Sequence, residues 1–238
     1  MPYFQYAYTS CALSPQITSA LIHETIGHIA EGDFVVACAH QSPYLLLPPL
    51  SPKITIVDYA HTAMGKPCPL PIYTDDEGTA TQDVCIIKEG KRASCMTDLY
   101  TAAALDVPPT GNARAASHTV APLVRMRNTA LLPGSDSPSA IISSIQDGYY
   151  LMESGNCYGD VNGDFCCEIK LGYRIKNGLL CESIKDYMIW GKTADFLQSI
   201  SMVGHDFEWY LDECTKWQTI KVGQGAPTIK ASLNIGVM

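Results

Sequence analysis

Basic residues are scarce in this chain: 16 Lys and Arg stand against 24 Asp and Glu, for a formal net charge of −8. Phosphate backbones are bound by clustered cations, so this balance argues against nucleic acid as a partner. Long apolar runs are also missing. No stretch approaches the roughly 20 residues that a bilayer-crossing helix requires. The opening Met1-Pro2-Tyr3-Phe4-Gln5-Tyr6 lacks the basic start and apolar core of an export signal. The expected address is the cytoplasm, without a membrane. Cysteine is plentiful at ten, yet no CxxC pair occurs. In a long chain with no export signal, most of these thiols read as reduced, buried small hydrophobes rather than a disulfide framework. Repeats and low-complexity tracts are absent. The scarcest informative residue is histidine, with six copies in 238 residues.

Two of those six frame a glutamate in His23-Glu24-Thr25-Ile26-Gly27-His28. Ser14-Pro15 is a good helix start, and Ile17, Leu21, Ile22, Ile26, Ile29 and Ala30 then recur at helical spacing, so the stretch reads as a mostly buried helix that Gly32 ends. The familiar zinc motif separates its histidines by four residues, one helical turn. Here the step is five, which on a regular helix leaves the imidazoles about 140° apart around the axis. Gly27, with no Cβ, lets the helix loosen, end or take one π-type turn. The same residues also suit a core helix whose histidines are merely hydrogen-bonded. Glu31 and Asp33 follow at the unfavourable end of the helix dipole, either orienting a ligand histidine or facing solvent.

The run Leu21-Ile22-His23-Glu24-Thr25-Ile26-Gly27-His28-Ile29-Ala30-Glu31-Gly32-Asp33 resembles the HExxxH signature of the TldD/PmbA metallopeptidase family. It is similar to the TldD branch, which keeps both histidines and the glutamate. Further matches follow in the family's order. Asp75-Asp76-Glu77-Gly78 resembles its acidic loop. Pro109-Thr110-Gly111-Asn112 with Arg114, then Arg125 and Asn128-Thr129 before Leu132-Pro133-Gly134, resembles its central motif. Ile200-Ser201-Met202-Val203-Gly204 and Val222-Gly223-Gln224-Gly225-Ala226-Pro227-Thr228 resemble its C-terminal signatures. The likeness covers the family's C-terminal, metal-bearing half. It implies that residues 1–238 form one such domain, with the family's usual N-terminal α/β domain absent.

The resemblance implies a Zn²⁺ held by His23, His28 and Cys214, the last by its place before the VGxG segment; spacing alone does not select it from ten cysteines. It implies Glu24 as the base of peptide hydrolysis, acting on small or unfolded peptides. It also implies a homodimer, or a heterodimer with a PmbA/TldE-like subunit. Arg114 and Arg125 are candidates to anchor a peptide carboxylate or polarise its carbonyl, or else they pair with the chain's own acids. His118 is a candidate for oxyanion stabilisation or an ordinary loop histidine. Two other classes stay open: a non-catalytic subunit that binds peptides or a partner, and a structural zinc module, for which His205 is a possible fourth ligand.

For the fold, the pattern predicts an α+β domain of antiparallel hairpins and sheet with a buried HExxxH helix. Strands are expected at 34–39, 54–59, 119–132, 217–222 and 228–235, and hairpins at 84–96 and at 165–184 around Asn177-Gly178. Short helices are expected at 97–105, 138–146 and 194–202. The acids at 75–77 read as a solvated turn.

Overall fold

A computed structural model describes residues 6–237, so the opening segment that lacks the pattern of an export signal lies, but for Tyr6, outside the described residues. Strand β1 (Tyr6–Leu13) leads into helix α1 (Pro15–Ile22), which runs on through a π turn (His23–Gly27); α2 (Gly32–Cys38), β2 (Ile56–Tyr59), β3 (Thr62–Ala63) and β4 (Lys66–Pro67) follow. The middle holds β5 (Val84–Lys88), β6 (Lys91–Arg92), α3 (Leu99–Leu105), β7 (Ala113–Arg114), β8 (Leu123–Val124), β9 (Asn128–Leu131) and α4 (Pro138–Ser143). Then come β10 (Asp147–Gly159), β11 (Asp164–Lys176), β12 (Leu179–Ile184), β13 (Tyr187–Lys192) and α5 (Thr193–Ser199). The chain closes with β14 (Met202–Val203), β15 (Glu208–Lys216), β16 (Gln218–Ala226) and β17 (Ile229–Val237).

Two sheets carry the fold. In the first, of seven strands, the order is β1-β10-β11-β13-β17-β14, with β12 paired to β11 off that path, and β1 also pairs with β17, which closes five strands into a barrel. The second runs β15-β16-β9-β2-β5-β6. Both are mixed: β1 runs parallel to β10 and β16 parallel to β9. Helices are few and short, an α+β arrangement. Helix α1 packs against β10 and β1 on one side and against β16, β9 and β15 on the other. Ile17, Leu21, Ile22 and Ile26 are therefore fully buried. Ser14 caps the helix through Ile17 N, and Pro15 occupies its first turn.

The second sheet is pinned by one carboxylate. Asp58 on β2 is fully buried and accepts from Arg127 N and Nε, Asn128 N, Thr129 Oγ1 and Asn112 Nδ2, at 2.8 to 3.1 Å. Strand β9 and the 110–114 loop are thereby fastened to β2.

The predicted hairpins are present, and Asn177 and Gly178 both take positive φ (51° and 76°), as the two-residue turn demands. Three expectations are corrected. Residues 34–39 lie largely in α2, and Gly32 opens that helix rather than ending the previous one. The single strand expected over 119–132 is β8 and β9, split where the Arg125 and Arg127 side chains turn into the interior. An unanticipated strand, β15, forms the edge of the second sheet. Cys157 and Cys167 are joined across β10 and β11, while the other eight cysteines are free.

Candidate metal centre

At Gly27 the chain takes the π option: the His28 N–H donates to the His23 carbonyl, an i to i+5 bond. That wider turn brings residues five apart onto one side, as an α turn does for residues four apart. The His23 and His28 rings meet edge to face with centroids 5.0 Å apart. From β15, Cys214 brings its Sγ to 3.5 Å from His28 Nε2. One ligand atom from each of His23, His28 and Cys214 lies within 4.8 Å of the others.

The chemistry of these atoms fits a metal. His23 is 1% exposed, and among the described residues neither of its ring nitrogens has a hydrogen-bond partner. A buried polar group left so is costly unless something else binds it. Burial, with His28 and Arg125 as cationic neighbours, holds His23 well below the ordinary imidazole range, so it is neutral and offers a lone pair. Two imidazoles and a thiolate suit zinc, which takes nitrogen and sulfur donors.

Behind His28 stands a fully buried Glu31. Its Oε2 faces His28 Nδ1 at 3.4 Å and accepts from Lys216 Nζ at 2.7 Å. Lys216, itself buried, also pairs with Asp33 and donates to the Val124 carbonyl. Burial alone would raise Glu31, but the His28 and Lys216 charges outweigh it and hold the carboxyl below its usual range. Burial likewise opposes a charge on His28, yet Glu31 and Cys214 together pull its pKa up to about 10. A proton and a metal therefore compete for the same ring.

Glu24 is not among the three. Its Oε2 accepts from the Gly159 N–H at 3.0 Å and lies 3.7 Å from His28 Nε2. Burial, with Asp212 and Glu31 as like charges, raises its pKa above the carboxylate norm despite His28 and that N–H. Position 159 must be glycine for this approach, since a Cβ there would run into the Glu24 carbonyl. Glu24, His28 and Cys214 line a cleft of about 720 Å³ between the end of β10 and the β15–β16 hairpin. Trp217, at the tip of that hairpin, stands 89% exposed on its rim.

Other predicted site residues fall elsewhere. Arg125 is spent on the carbonyls of Cys214 and Gln218, at 2.6 and 2.8 Å, so it braces the hairpin that carries Cys214. Arg114 donates to the Met126 and Lys221 carbonyls. His118 sits exposed on a loop. None of the three lines the cleft, because backbone carbonyls already occupy both guanidiniums and the loop of His118 stands apart. His205 is exposed beside Asp136 and does not line it either. Asp75 receives the backbone of its own turn, with Glu77 and Thr79 donating. Sequence reasoning missed Gly159, Lys216 and Gln224. Only Gln224 lay in a singled-out motif.

Residues 8–236 match the PmbA/TldA metallopeptidase C-terminal domain. The chain is 36% identical over 228 residues to a zinc metalloprotease TldD homolog of Saccharolobus solfataricus, covering 94% of this chain and 50% of that protein. It is 35% identical over 224 residues to a metalloprotease TldD homolog of Buchnera aphidicola subsp. Acyrthosiphon pisum, covering 91% and 45% respectively. It thus spans about half the length of the curated relatives it matches. The solved structure of TldE from Thermococcus kodakarensis has the same fold, with TM-score 0.75 at 20% identity over 98% of this chain and 51% of that one. Among the described residues, no helix is long and apolar enough to cross a membrane. On this match of sequence and fold, the chain belongs to the TldD/PmbA metallopeptidase family and carries that family's C-terminal domain.

Proposed function

We propose that the chain is a zinc-dependent metallopeptidase for small or unfolded peptides, with His23, His28 and Cys214 as metal ligands and Glu24 as the catalytic base. The observation that carries this reading is the convergence of those three ligand atoms beside a carboxylate that is not one of them, where Glu24, His28 and Cys214 line a cleft. A purely structural zinc site has no use for such a group. The names of the TldD relatives support the same reading. When bound, zinc supplies a Lewis acid and lowers the pKa of a coordinated water. Glu24, with its raised pKa, takes a proton from the attacking water and passes it to the leaving amine. The Gly159 N–H holds the receiving oxygen of Glu24 in place meanwhile. Glu31 orients His28 and Arg125 steadies the strand bearing Cys214. The assembly we infer is a homodimer or a pairing with a TldE-like subunit.

Metal analysis of the purified protein is expected to find about one zinc per chain. In Cys214→Ser the zinc falls away, because a neutral hydroxyl is a poor substitute for a thiolate. Unchanged zinc content in that variant would sink the assignment. Glu31→Gln removes the charge behind His28 and leaves Lys216 with Asp33 as its one carboxylate partner. Its zinc affinity, followed by competition with a chromophoric chelator, should drop about 10- to 100-fold, as for other partners of ligand histidines.

A further inference from the structure

We propose that Gln224 is the hydrogen-bond donor that holds the carbonyl oxygen of the scissile amide, an assignment that rests on the peptidase reading above. Gln224 is 4% exposed and lines the cleft together with Glu24, His28 and Cys214. Among the described residues its carboxamide has no hydrogen-bond partner. Its backbone is fixed on both sides, paired with Tyr210 of β15 and Thr129 of β9, and β16 packs directly on α1. A carboxamide that is unpaired, mounted on a rigid strand and open to the cleft is well placed to meet a ligand.

The charged groups of the cleft leave this task open, and its other side-chain donors are exposed (Asn156, Tyr158, Thr215 and Trp217) or only half-buried (Ser154). Glu24, Asp160, Asp212 and Glu213 are acceptors when ionised. The Lys216 ammonium is already engaged by Glu31, Asp33 and the Val124 carbonyl. The Gly159 N–H is given to Glu24. Arg114, Arg125 and His118 do not line the cleft. As water adds to the amide carbon, the carbonyl oxygen gains negative charge, and a preorganised N–H donor binds it more tightly than it bound the ground state. The effect of losing Gln224 therefore falls on kcat rather than KM. No proton leaves the carboxamide in this role.

The test uses the zinc-loaded full chain, with a peptide found by cleavage of a quenched fluorescent library. Gln224→Met keeps the shape and removes the donor; Gln224→Glu keeps an acceptor oxygen and replaces the donor with a charge. Both variants should keep the parent's zinc stoichiometry, and both should lose about 10²-fold or more in kcat with KM changed only a few-fold. Gln224→Met should melt no lower than the parent, since the lost amide had no partner. Parental kcat in Gln224→Met overturns the proposal. So does activity retained in Gln224→Glu, which would make the group an acceptor, and so does a loss of kcat that merely tracks a lower melting point or lost zinc. If the zinc-loaded parent cleaves nothing in the library, the peptidase reading itself falls, a result distinct from any difference between parent and variants.

Discussion

In urea unfolding, Asp58→Ala should lose about 3–5 kcal/mol of stability, the range seen when one partner of a buried ion pair is removed. Arg127 is as fully buried as Asp58, with Nε 2.9 Å from Oδ2, so truncation leaves a guanidinium in the interior without its counter-charge. The Arg127 and Asn128 amides, the Thr129 hydroxyl and the Asn112 carboxamide each lose an acceptor as well. Asp58→Asn is expected to be costly too, because either orientation of its NH₂ group faces donors. These losses share one network and do not add. An unfolding midpoint for Asp58→Ala within experimental error of the parent's would show that the sheet does not depend on this carboxylate. The same variant should also lose zinc, since the second sheet carries the β15–β16 hairpin and hence Cys214.

Much of the frame was legible because it obeys simple periodicities. Strand β11 alternates buried and less buried positions over Phe165 to Lys170, before Gly172 rather than Leu171 turns inward, and Asn177-Gly178 marks its turn without ambiguity. Helix α1 announces itself by its Ser-Pro start and its apolar spacing. The errors have physical causes. Residues 34–39 are rich in aromatic and β-branched side chains, which favours a strand locally. Tertiary contacts override that preference: Asp33 pairs with Lys216 and Phe34 lies under its ammonium, 4.2 Å from Nζ to ring centroid. Strand β15 was missed because, as an edge strand, it has no continuous apolar face; Leu211 is 62% exposed there.

The site was legible in part. Both histidines and the glutamate stand out in sequence, but whether a five-residue step can serve one centre depends on the hydrogen-bond pattern at Gly27, which periodicity does not reveal. Cys214 was reachable only through the family likeness, since its pairing with His28 is a contact across 186 residues. The arginines looked like substrate anchors because their type suits carboxylates. Their donors instead satisfy carbonyls that no sequence pattern marks as unpaired. Lys216 is the reverse case, an ordinary-looking lysine buried against Glu31 and Asp33.

Glu24→Gln should retain its zinc and lose about 10²–10⁴-fold in peptide hydrolysis, the span typical of a missing general acid–base group. The substitution is close to isosteric, and its carbonyl oxygen can still accept from the Gly159 N–H, so the π turn and both histidines should stay in place. What disappears is a group able to take and return a proton. His23→Ala is the necessary contrast: it removes a ligand, so zinc and activity should go together. A structural zinc module reverses the emphasis, for there Glu24→Gln is nearly silent and His23→Ala chiefly lowers the melting temperature, because metal binding is coupled to folding. Zinc stoichiometry, thermal midpoint and cleavage of a quenched peptide library, measured on both variants and the parent, separate the two. Cleavage by Glu24→Gln at the parent's rate, with zinc still bound, would remove Glu24 from the chemistry and hand the role of base to another of the cleft carboxylates, Asp160, Asp212 or Glu213.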